Sequence, residues 1–211
     1  MRCSAMNNPL RKDIYLMRGP LSSKECDDVK ISVVEMFEDC EVDSIPICPF
    51  TIAKKQYIVC RPYSELSAEK QMWAFSISSD AFSQVERDPL TNRNQYVIYY
   101  NDIDRDIARI RWSIFHELGH IARGHHDNHD DNLYDIEEAE ANLFAKYAIA
   151  PPPLIHVLRI QSWQEIVSVF HTSEDAARNC YNYYLKWLNN GPEDYTDFEL
   201  RLLELFHLSA A

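Results

Sequence analysis

Apolar positions along the chain change period several times, and each change marks an element. Ser22-Ser23-Lys24-Glu25 is a helix-start signal. Behind it Val29, Val33, Val34, Met36 and Phe37 recur at helical spacing and predict a helix ending near Cys40. Pro46 to Pro49 break the chain, and Phe50 to Lys55 read as a short helix. Three pieces rich in β-branched and aromatic residues then read as strands: Tyr57 to Cys60, Trp73 to Ser78 and Tyr96 to Tyr100. The polar stretch Arg87 to Asn94, with Pro89, is a turn before the last of these. Asn101-Asp102-Ile103-Asp104 supplies start residues for a helix from about Arg105 to Arg123. A His-rich loop, Gly124 to Asn132, leads to a second helix from Leu133 to Ala150, which Pro151-Pro152-Pro153 stop. The remainder reads as helical: Trp163 to Phe170, Ser173 to Leu188 and Pro192 to Leu208.

The helix from Arg105 carries His116-Glu117-Leu118-Gly119-His120, an H-E-x-x-H motif. Two histidines four apart lie about 40° apart around a helix, so both imidazoles reach one metal ion, and the intervening glutamate is the usual general base for its water. At about 100° per residue, Ile107, Ile110, Ile114, Leu118 and Ile121 form the core stripe, with both histidines on the other side.

The second helix offers Glu137, Glu138 and Glu140 as a third ligand. Leu133, Ile136, Leu143, Phe144 and Tyr147 all lie within about 60° of Glu140, which places that carboxylate inside an apolar stripe. Burying it ionised is costly unless a cation neutralises it, so Glu140 is the expected ligand, with Glu137 and Glu138 solvated. Two histidines, one glutamate and an open position make a catalytic rather than a structural zinc site; manganese or iron are the alternatives this donor set accepts. His126 has the spacing for a three-histidine site. However, Arg123 stands where such sites need glycine, and all five methionines precede the motif, so no methionine turn follows it. His125, His126 and His129 then read as loop histidines.

Composition narrows the function. A net charge of −12 disfavours a generic nucleic-acid binder. No apolar run approaches a membrane span, and residues 1–25 lack a signal-peptide core. The six cysteines form no C-x-x-C and read as reduced thiols of a cytoplasmic protein. The organisation expected is a variable leader at 1–21, a catalytic domain at 22–155 and a helical extension at 156–211 packed on it.

Two blocks resemble the ImmA/IrrE family of metallopeptidases. One is Tyr99-Tyr100-Asn101-Asp102 followed by Arg109 through Ile121; the other is Glu137-Glu138-Ala139-Glu140-Ala141-Asn142-Leu143-Phe144-Ala145, ending in Ala150-Pro151. The resemblance covers most of residues 50–190. It implies an α+β, zincin-like fold: mostly helical, with a small antiparallel sheet of about three strands on the H-E-x-x-H helix. It also implies His116, His120 and Glu140 as metal ligands, Glu117 as catalytic base, and endopeptidase action on a partner protein. Family members typically cleave or inactivate a helix-turn-helix repressor, and the segments after Ala150 resemble phage- and mobile-element-borne members. A second oxyanion donor is expected among Tyr147, His126 and His156. Two other readings stand beside this one: displacement of the repressor without cleavage, and a DNA-binding helix-turn-helix within Gln164 to Ala177. Against the latter, residues 155–211 hold four basic and eight acidic side chains.

Overall fold

A computed structural model describes residues 21–127, 133–191 and 194–209. The expected leader therefore lies almost wholly outside the described residues, as do His129 and the start of the last predicted helix. Helix α1 (Ser23–Asp39) opens with a capping box in which Ser22 and Glu25 satisfy each other's backbone N–H groups. It is followed by α2 (Pro49–Lys55), β1 (Val59–Pro62), a 3₁₀ turn at Tyr63–Glu65, α3 (Ala68–Ile77), β2 (Ala81–Arg87) and β3 (Asn94–Tyr100). Helix α4 (Ile107–Ala122) carries the H-E-x-x-H motif, and after the 3₁₀ turn His125–Asp127 the chain returns as α5 (Tyr134–Ile149). The chain ends in α6 (Pro152–Val157), α7 (Trp163–Phe170), α8 (Glu174–Asn190) and α9 (Asp197–Leu205). The fold is α+β and zincin-like.

The sheet departs from expectation in two ways. It is mixed rather than antiparallel: its order is β1-β3-β2, with β1 parallel to β3 and β2 antiparallel to it. Trp73 to Ser78, expected as a strand, belongs to α3. The Ser67 side chain caps Lys70 N–H there, and the Ala-Glu-Lys-Gln-Met run that follows favours helix. The strand on that side of the sheet is β2, whose alternation is weak.

Strand β3 is central, and its alternate side chains separate two cores. Val97 and Tyr99 join Tyr63 and Ala74 under α3. Ile98 faces the main core with Ile114, Phe115 and Leu118 of α4, Phe144 and Ile149 of α5, Val33 and Phe37 of α1, and Phe170, Ala177 and Leu202 of α7, α8 and α9. The α4 stripe is correct at Ile110, Ile114 and Leu118, but Ile107 is exposed, while Phe115 and Arg111 are buried. Helices α4 and α5 approach closely at Gly119, where an added Cβ would lie 2.9 Å from Phe144 Cβ and 3.1 Å from Ala141 Cα. No helix among the described residues is long and apolar enough to cross a membrane.

Candidate metal centre and cleft

Asp106 caps α4 by accepting from Arg109 N–H, which sets the helix start so that its third and fourth turns reach the cleft beside β2. His116 and His120 lie one turn apart on α4, with their Nε2 atoms 3.1 Å from each other. The carboxylate completing the group is Glu138: Oε2 is 3.5 Å from His116 Nε2 and Oε1 is 3.3 Å from His120 Nε2. Ligand atoms of His116, His120 and Glu138 all lie within 4.8 Å of one another, and this is the one such His/Cys/Asp/Glu group found among the described residues.

Glu140, the expected third ligand, lies outside this group. It is buried, as its apolar stripe requires, and its hydrogen-bond partners are Arg123 and His125 of the protein itself. Arg123 donates to both of its oxygens, at 3.0 and 3.3 Å, and His125 Nε2 lies 2.8 Å from Oε2. Two residues along a helix turn a side chain by about 200°, so a carboxylate cannot occupy the Glu140 direction and face the cleft as well. The cleft row of α5 is Tyr134, Glu138 and Asn142, at i, i+4 and i+8. The helical row through 134, 138 and 142 was the available signal, together with the small residue Ala141, which lies against Gly119 of α4.

The residues fit a divalent cation. Two imidazole nitrogens and a carboxylate converge on one point, and the paired Nε2 atoms cannot both present lone pairs to each other without a shared partner. Hydrogen bonds from His116, then His120, hold Glu138 well below the usual carboxylate range despite its partial burial. Burial disfavours charge on His120, but Glu138 and the negative charge of Glu117 outweigh it and raise its pKa.

Glu117 is buried beside this cluster. Ser83 Oγ donates to Glu117 Oε2 at 2.6 Å and lies 3.0 Å from His126 Nε2. The register explains the contact: Ser83 pairs with Ile98, whose side chain faces α4, so Ser83 faces α4 too. Ser83 carries no motif and was not legible before the strand was placed. Of the expected oxyanion donors, His126 alone lines the cleft. Tyr147 is fully buried with its hydroxyl unpartnered, and His156 contacts the Tyr184 hydroxyl at 3.1 Å. Burial, and then its neighbours His120 and His125, lower the pKa of His126.

The cleft holds about 520 Å³ and is also lined by Ile77, Ser78, Asp80 to Ser83, Arg109 and Trp112. Its β2 wall is anchored by Asp80, whose carboxylate accepts from Arg109 at 2.8 and 3.0 Å and from Arg105 at 2.8 Å. The hydrogen bond from Arg109 chiefly holds Asp80 down at about 2, against the cost of burial. Asn101, fully buried at the end of β3, donates to Ser79 O and accepts from Ile103 and Asp104 N–H, fixing the turn into α4.

Residues 74–179, half of the chain, match the model of the M78 peptidase family, described as the IrrE N-terminal-like domain. The match spans β2, β3, the H-E-x-x-H helix and all of α5. No curated protein and no solved structure matches the chain. With that match over the same residues that build the His-His-Glu cluster, the chain belongs to the ImmA/IrrE-type M78 peptidases and is a metallopeptidase, a hydrolase of peptide bonds.

Proposed function

We propose that the protein is a zinc-dependent endopeptidase that cuts a partner protein, a helix-turn-helix repressor of a phage or mobile element, in the cytoplasm. In this reading residues 22–155 form the catalytic unit and 156–211 an extension packed on it. The observation that carries it is the cleft, where a two-histidine, one-carboxylate cluster, the buried Glu117 and the edge strand β2 meet.

His116, His120 and Glu138 would hold the ion. When bound, it supplies Lewis acidity, acidifying water and polarising a peptide carbonyl. Glu117 is the proton carrier: its carboxylate takes a proton as water attacks and returns it to the leaving amine. Ser83 holds Glu117 by donating to Oε2, and His126 Nε2–H faces Ser83 Oγ in turn. That N–H is directed at Ser83 Oγ, so in this geometry His126 supports Glu117 through Ser83. Strand β3 has neighbours on both sides, so edge pairing with an extended substrate falls to β2, whose Ala81 to Ser83 line the cleft. Asp80, clamped by two arginines, keeps the start of that strand in register.

The test is incubation of the purified protein with helix-turn-helix repressors from the same genome, read by mass spectrometry of the fragments. One defined cut, absent with Glu117→Gln, supports the reading. Release of the repressor from its operator with the repressor intact contradicts cleavage and supports displacement.

A further inference from the structure

The imidazole of His120 is connected behind the cleft as well as in it. Its Nδ1 lies 2.8 Å from His125 Nδ1, and His125 Nε2 lies 2.8 Å from Glu140 Oε2. Arg123 donates to both Glu140 oxygens. All of these groups come from the end of α4 and the middle of α5, joined by a turn that Gly124 makes at φ +70°. That turn folds His125 back under His120.

The direction of each hydrogen bond follows from chemistry. An ionised carboxylate only accepts, so His125 Nε2 carries its hydrogen toward Glu140. With that hydrogen on Nε2, the His125 Nδ1 is left as the acceptor, and the hydrogen between the two rings sits on His120 Nδ1. His120 Nε2 is left with a lone pair, directed at the point where His116 and Glu138 converge. Glu140 accepts from Arg123 through both oxygens and from His125 through one, so the whole series runs one way.

We propose that His125 and Glu140 are positioning residues for the metal centre: Glu140, acting through His125, fixes the tautomer and ring orientation of His120. The proposal rests on His116, His120 and Glu138 being the ligand set. It also gives the buried Glu140 a role without making it a ligand. Groups that orient a metal-bound histidine in this way are worth about 10–100-fold in metal affinity.

The test compares wild type, His125→Phe, Glu140→Gln and Glu138→Ala for zinc affinity by chelator competition and for the visible spectrum of the cobalt-substituted protein, with circular dichroism confirming the fold. His125→Phe and Glu140→Gln are expected to bind one ion per chain, about 10–100-fold more weakly than wild type, with a shifted cobalt spectrum. The loss should be smaller for Glu140→Gln, because glutamine still accepts from His125. Folded variants with wild-type affinity and spectrum overturn the proposal, whatever their melting temperature. Glu138→Ala is expected to lose the ion. If it keeps the ion, the ligand set itself fails; if Glu140→Gln alone is empty, Glu140 is a ligand and the proposal fails with it. ¹⁵N NMR of zinc-loaded wild type needs no variant. It should show His120 protonated at Nδ1 and His125 at Nε2, and the opposite tautomer at either ring overturns the proposal.

Discussion

Glu117 is held by a neutral hydroxyl rather than by an arginine or lysine, which leaves its carboxylate free to accept a proton in turn. Glu117→Gln should keep the metal and lose peptide cleavage by about 10²–10⁴-fold, measured as turnover on the partner protein. Asp80 gives a pH signature. Its folded pKa, about 2, lies below the ordinary 3.8, so its contribution is complete above pH ~4 and is lost as pH falls toward 2. Stabilities of wild type and Asp80→Asn from urea unfolding should therefore differ at pH 7 by about 1 kcal/mol, reduced for the half-exposed Arg109, and converge as pH falls from 4 toward 2. A difference constant with pH would remove the ion pair as its cause. At this scale His116, Glu117 and His120 were legible because one helix and one spacing define them. The carboxylate that the structure sets beside them was not. A helical wheel finds which glutamate is buried, and burial here marked the one paired with Arg123 and His125.

Elements are matched to each other by small residues as much as by apolar ones. Gly119 sits inside the H-E-x-x-H motif, and its missing Cβ is the space into which Phe144 and Ala141 of α5 press. Gly119→Ala gains helix propensity of about 1 kcal/mol, but it overpacks this crossing and should lower stability by about 1–2 kcal/mol net, read in thermal melts. An unchanged or raised melting temperature would mean that α5 has room to shift. Helices α4 and α5 were legible from period and caps, and β3 from its aromatic, β-branched run. The α3 segment was misread because Trp73-Ala74-Phe75-Ser76-Ile77-Ser78 alternates like a strand, while Ser67 and the helix formers behind it decide the outcome. The parallel β1–β3 pairing was beyond local pattern, since it depends on the crossover through α3 and β2.

Across the whole molecule, the H-E-x-x-H helix is tied to segments that precede and follow it in the chain. Arg111, buried on α4, donates to Ile47 O before α2 and to Phe170 O at the end of α7. Arg201 of α9 pairs with Glu38 of α1 through both carboxylate oxygens. Arg111→Ala would leave two carbonyls without their donor and open a cavity, at a cost of about 2–4 kcal/mol. Because the main core runs from α1 to α9, calorimetry should show one unfolding transition in wild type, with the C-terminal helices melting together with the H-E-x-x-H helix. The most direct test of the metal centre is metal content per chain, by mass spectrometry, in wild type, Glu138→Gln and Glu140→Gln saturated with zinc and freed of excess. One ion per chain in wild type and Glu140→Gln, with none in Glu138→Gln, is the expected result. A metal-free wild type, or an ion retained in Glu138→Gln and lost in Glu140→Gln, would contradict it.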